Sequence, residues 1–349
     1  METSPNPGPS LPPTTRLRQV MRQHPLVFFY LMAFGLSWVV ELLLLGLWHQ
    51  PSGNVGEALR SILPALIGGP ILPAFIMTGL TEGRGGMGRL LRRCVLWRVG
   101  LQWYLFVLIG FPALILLSLL VPPGAIATFR EPVPLLVLSY LPAFIVIFLV
   151  GGPLVEEPGW RGSAKPRLEQ RFGPLVGTLL LGALWGLWHL PLFLFMPGYN
   201  GAGTSFIGIS LPFVEFVIGE VALAVIFTWV FHNTGGSLLP TMLLHASTNT
   251  VIGAVFATQI GYLSLYLVYS VVAVLLIVAT RGRLSSRRYH REMMLSAPVA
   301  TGEQQKGPVG SSDDGFHKPC RGCKSAMVSR GCPDERERDS STSLLSNCA

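Results

Sequence analysis

Pro134 to Val155 reads PLLVLSYLPAFIVIFLVGGPLV, and the next six residues are Glu156-Glu157-Pro158-Gly159-Trp160-Arg161. An uncharged apolar run of this length can cross a bilayer as a helix. The acidic pair then stands at the edge of hydrocarbon or inside it. An acid or base at the centre of a membrane helix costs about 2.5–3.5 kcal/mol on insertion scales, so such a group asks for a function.

Similar apolar runs recur on both sides of this stretch. They place spans near Leu26–Trp48, Ile62–Thr78, Trp103–Val121, Pro134–Val155, Leu175–Phe195, Phe206–Phe231, Leu238–Ala257 and Ile260–Thr280. The expected fold is therefore an all-α membrane protein, a bundle of about eight transmembrane helices with disordered polar termini. Half of the residues are hydrophobic, 13% are charged, and the mean hydropathy is +0.52. Three regions follow: a cytoplasmic N-terminal segment (1–25), a helical membrane domain (26–280), and a tail (281–349) that is first basic and then disordered. The first span is expected to be retained as an anchor rather than cleaved.

The net charge of +8 does not point to nucleic acid, because the basic residues gather in short loops. Arg16 to Arg22, Arg84 to Arg98, Arg161 to Arg171 and Arg281 to Arg291 fall on one side of the expected bundle. Arg60 and Arg130 fall on the other. The positive-inside rule then puts both termini and the Glu156 segment on the cytoplasmic side of a cell membrane. Membrane lipids are the expected surroundings, and nucleic acid is excluded as a partner. The five cysteines are Cys94 and four in the tail, an odd count that suits reduced thiols. Cys320, Cys323 and Cys332 with His317 could suggest a metal knuckle, but one CxxC without a second spaced pair is weak evidence for one.

Spacing connects the acidic motif to a first histidine. The midpoint of positions 156 and 189 falls on the turn signal Phe172-Gly173-Pro174. A chain that descends from Glu156 and climbs back through about 16 residues, roughly 24 Å of helix on each arm, brings Glu156 and His189 to one level. This requires helix four to continue past the membrane surface, with Pro158, Gly159 and Pro166 as candidate kinks. Glu157 and Arg161 are four apart and share a helical face, so Glu157 is expected to hold an ion pair while Glu156 faces elsewhere as a general base for water.

His189 lies one turn after Trp185. His245 and Asn249 share a face of a later helix and suit either hydrogen bonding to a developing oxyanion or, for His245, metal ligation. Glu41, Glu215 and Glu220 also fall in apolar spans. Glu215 and Glu220 point to different faces and read most simply as interfacial or paired carboxyls.

These three elements resemble the CPBP intramembrane proteases, also called the Abi or type II CAAX prenyl protease family. The pattern Glu-Glu-x-x-x-Arg, aromatic-x-x-x-His and His-x-x-x-Asn is met by Glu156, Glu157 and Arg161; by Trp185 and His189; and by His245 and Asn249. Trp185 stands where phenylalanine is usual and keeps an aromatic wall. The wording around the motifs is similar to a prokaryotic branch. The resemblance implies a bundle that hydrolyses a peptide bond near the cytoplasmic side, acting on a peptide or membrane-protein substrate. Glu156 would activate water and His189 would help position it. His245 with Asn249 would stabilise the oxyanion, and Glu157 with Arg161 would hold the motif in shape. The alternative with Glu156, His189 and His245 as ligands of zinc or another divalent metal stays open. Rival readings from other classes are a transporter or channel that uses intramembrane Glu and His, and a non-catalytic membrane scaffold.

Overall fold

In a computed structural model, the described residues are 13–47, 69–121, 133–195, 206–255 and 262–285. All regular structure among them is helical. The tail cysteines, His317, Arg60 and Arg130 lie outside the described residues. The helices are α1 (Pro13–Gln23), α2 (Pro25–Leu47), α3 (Ile71–Cys94), α4 (Leu101–Leu120), α5 (Val133–Val150), α6 (Pro153–Glu157), α7 (Lys165–Phe172), α8 (Pro174–Trp188), α9 (Leu190–Phe195), α10 (Phe206–Asn233), α11 (Leu239–Val255) and α12 (Tyr262–Ala279). A π-helical segment, Pro158–Ala164, joins α6 to α7.

Among the described residues, six segments are long and apolar enough to cross a membrane: Pro25–Leu43, Leu101–Leu120, Leu138–Phe172, Pro174–Leu194, Ser210–Asn233 and Tyr262–Ala279. The other two expected spans are helical but of a different character. Helix α3 begins at Ile71 and runs on to Cys94, carrying Arg84, Arg89, Arg92 and Arg93 in its second half. Helix α11 carries hydroxyl residues that are buried against the bundle. Thr241, Ser247, Thr248 and Thr250 each return their hydroxyl proton to a carbonyl three or four residues back, so the helix satisfies its own polar groups.

The apolar side chains are distributed as a lipid solvent requires. Leu101, Leu138, Leu141, Ile109, Leu275 and Val278 point outward. Glu156, Glu157, Arg161, Lys165 and His245 are buried inside. The most extensive packing involves α10, which lies between α8 and α12. Its approach to α8 depends on Gly182, where an added Cβ would come 2.6 Å from the Cα of Val221. Close backbone approach through small residues is the usual way for membrane helices to gain packing energy.

Three differences from the sequence expectations have local causes. The fourth span ends at Val150 rather than Val155, because Gly152 takes φ 109° and Pro153 restarts the chain as α6. The helix does not run unbroken to the Gly173 turn, since Pro158 brings no N–H and the backbone winds into the π segment. The N-terminal segment contains a helix: α1 is amphipathic, its Met21 packs on the core, and its Arg22 Nε donates to the Leu80 carbonyl at 2.7 Å.

Arg161 and Lys165, counted above among loop cations, are both buried. Lys165 meets Glu169 and His232, and His232 Nδ1 reaches the Leu284 carbonyl at 3.1 Å. This cluster ties α7, the end of α10 and the chain after α12 to one another.

Candidate active site

Glu156 lies in the short helix α6, on the shoulder formed by Gly152 and Pro153. Its carboxylate is buried, and Oε2 accepts hydrogen bonds from two indoles, Trp185 Nε1 at 3.0 Å and Trp160 Nε1 at 3.3 Å. Its other oxygen, Oε1, lies over Gly152, in the space that a Cβ there would occupy. The positive φ of Gly152 and this close approach together make glycine the residue that fits.

Glu157 points into a different network, as expected for a neighbour about 100° away. Its Oε1 accepts from Arg161 Nη1 at 3.0 Å and from His245 Nδ1 at 2.9 Å. Glu157 and Arg161 are both 0% exposed. The guanidinium is sandwiched between two rings, 4.1 Å from the centroid of Trp185 and 4.4 Å from that of Phe227. Such stacking suits the planar, weakly hydrated Arg cation. Glu157 Oε2 and Arg161 Nε and Nη2 are buried without a hydrogen-bond partner among the described residues, a departure from the usual satisfaction of buried polar groups.

His245 reaches this centre because the start of α11 is pinned: Leu238 N–H donates to the Arg93 carbonyl at 2.9 Å. Asn249 follows His245 by one turn on the same helix and is partly buried.

His189 caps the end of α8, where φ −82° and ψ 0° leave the helical register before Leu190-Pro191. Its Nδ1 pairs with the Trp185 carbonyl at 2.9 Å, and its ring packs edge-on against Trp188 (4.8 Å) and Phe216 (5.1 Å). The hairpin of α7 and α8 therefore brings the Glu156 and His189 segments together, at the level of Trp185. In both histidines Nδ1 is the engaged nitrogen, so the tautomer that the hydrogen bonds favour presents Nε2 as a lone pair.

Among the described residues no three His, Cys, Asp or Glu side chains gather closely enough to hold a metal ion.

Four contributors have parts that the sequence reading did not give them. Trp160 and Trp185 act as hydrogen-bond donors, which the reading of Trp185 as an aromatic wall did not include. The i,i+4 spacing of Glu156 and Trp160 was available as a signal. Gly152 has no sequence signal beyond the Gly-Gly-Pro break. Glu220 of α10 shares its electrostatic environment with Arg161, Glu156 and Glu157, and its Oε2 is buried without a hydrogen-bond partner.

The fold and site define a polytopic helical membrane protein with a carboxylate, arginine and histidine centre enclosed in its bundle. Residues 138–251 match the Rce1-like family, described as type II CAAX prenyl endopeptidase Rce1-like. Over that segment the chain is similar to the family that its motifs resemble. CAAX prenyl protease 2 of Methanococcus maripaludis is 26% identical over 148 residues, which are 41% of this chain and 53% of that protein. The chain thus spans about half the length of the curated relative it matches.

Proposed function

We propose that the chain is an intramembrane endopeptidase in which Glu156 activates water for attack on a peptide carbonyl. The observation that carries this reading is a buried carboxylate with one oxygen held by two indoles, beside histidines each engaged through Nδ1. Glu156 takes a proton from water as the oxygen adds to the carbonyl carbon. The C–N bond then breaks, and the proton passes from Glu156 to the departing amine. His189 orients the water through Nε2.

His245, backed by the Glu157 carboxylate, donates from Nε2 when protonated and with Asn249 stabilises the oxyanion. Glu157 and Arg161 fix that histidine in place. A divalent metal is a second reading, favoured by the two Nε2 lone pairs and opposed by the absence, among the described residues, of a gathered three-ligand set. Both termini and the Glu156 segment face the cytoplasm, and the substrate is a peptide or the end of a membrane protein.

Cleavage of a quenched peptide library by the detergent-purified protein tests this reading, with and without chelator. Product formed in both arms supports water activated by glutamate; product lost with chelator and regained with zinc supports a metal. No hydrolysis of any peptide, together with solute flux in proteoliposomes, overturns the proposal in favour of a transporter.

Gly152→Ala offers a finer check. The added methyl overlaps Glu156 Oε1, and the least costly relief is for the carboxylate to move. Cleavage is expected to fall about a hundredfold, the scale of a misplacement near 1 Å. The positive φ adds a stability loss of about 1–2 kcal/mol. Initial rates and a melting curve read the two effects separately, and wild-type rates would contradict the placement of Glu156.

A further inference from the structure

Trp185 touches four of the groups assigned a role above. Its N–H donates to Glu156, its ring face lies 4.1 Å from the Arg161 guanidinium, its carbonyl pairs with His189 Nδ1, and its ring meets that of His245 at 5.5 Å. Resting on the reading of Glu156 as the base, we propose that Trp185 is a positioning residue, whose indole N–H acts with that of Trp160 to hold the Glu156 carboxylate in its working orientation.

An indole N–H is a donor only, and when buried it needs an acceptor. Trp160 is 0% exposed and Trp185 2%, and both donors converge on the same oxygen, Oε2. Hydrogen bonds to an ionised acceptor are the stronger kind. Two of them from rigid rings stop rotation of the carboxylate and leave Oε1 as the oxygen that receives the proton. Trp160 is itself wedged against Phe29 (5.8 Å), Tyr30 (6.0 Å) and Trp188 (5.8 Å), so neither donor can follow a displaced carboxylate. Phenylalanine at 185 would keep an aromatic wall facing Arg161 and His245 and lose the donor. Trp185→Phe therefore isolates the hydrogen bond from the packing.

The test uses full-length protein carrying 15N-tryptophan, with the indole signals of Trp185 and Trp160 assigned through Trp185→Phe and Trp160→Phe. In Glu156→Ala both indole proton signals should move upfield together, as they lose a charged acceptor. A Trp185 signal that stays in place overturns the proposal. In kinetics, Trp185→Phe should lower kcat by about ten- to a hundredfold, the worth of one hydrogen bond to a charged group. KM should stay within about twofold, since the donor acts on Glu156 rather than on the substrate.

Unchanged kcat, or a lower kcat accompanied by a lower melting temperature, would assign Trp185 to packing and overturn the inference. If Trp185→Phe does not fold, Trp160→Phe carries the same kinetic prediction through the other donor. If wild-type protein cleaves nothing while the indole signals respond to Glu156→Ala, the protease reading fails and the hold on Glu156 stands.

Discussion

Glu156→Gln is expected to lose at least about a hundredfold in cleavage rate, the lower end of what a positioned general base contributes. Glutamine keeps the size of the side chain and an oxygen that can accept from Trp160 and Trp185, so accumulation in the membrane and thermal stability should match wild type. What is lost is the capacity to take a proton from water. The comparison is between initial rates of the two purified proteins on one fluorescent peptide, with melting curves run alongside. Glu156→Ala should be equally inactive. A glutamine variant with full activity would remove Glu156 from the mechanism, whatever the fate of the remaining site.

Arg161→Ala is expected to act on the protein before it acts on the reaction. It would leave Glu157, 0% exposed, held by its hydrogen bond from His245. Breaking a buried pair from one side costs on the order of 3–5 kcal/mol, a large part of the 5–15 kcal/mol that holds a typical domain folded. Low yield and a sharply lowered melting temperature should follow. Arg161→Lys should rescue little, because an ammonium cannot stack between Trp185 and Phe227 as a planar guanidinium does. Glu157→Gln combined with Arg161→Met should recover stability relative to Arg161→Ala. It should not recover activity, since His245 Nδ1 no longer has a carboxylate behind it. A stable, fully active Arg161→Ala protein would contradict this account.

The sequence was most informative where the relevant physics is local. Apolar run lengths located most of the helices closely, although α3 runs on to Cys94 where the expected span ended at Thr78, and i,i+4 geometry paired Glu157 with Arg161 before any coordinates. The turn at Gly173 put Glu156 and the end of α8 on the same level. Contacts over longer separations were out of reach: Glu156 meets Trp185 across 29 positions, and Glu157 meets His245 across 88. The break at Gly152 was hidden inside an apolar run whose composition fits an unbroken helix. Charge counting also misled in one respect, because composition cannot distinguish an arginine in a loop from one enclosed between rings. Arg161 and Lys165, counted with the cations of the cytoplasmic side, are among the most deeply buried side chains described.

One oxygen, Oε1 of Glu157, receives hydrogen bonds from both Arg161 and His245, and this bears on how the site can change over generations. A first substitution at Glu157 or Arg161 strands a buried charge, and one at His245 takes a hydrogen-bond donor from the same oxygen, so each step of a gradual loss meets a penalty. Descendants that give up the chemistry should lose glutamate, arginine and histidine as a block or keep all three. Aligned relatives should therefore show these positions as a single inherited character rather than three independent ones.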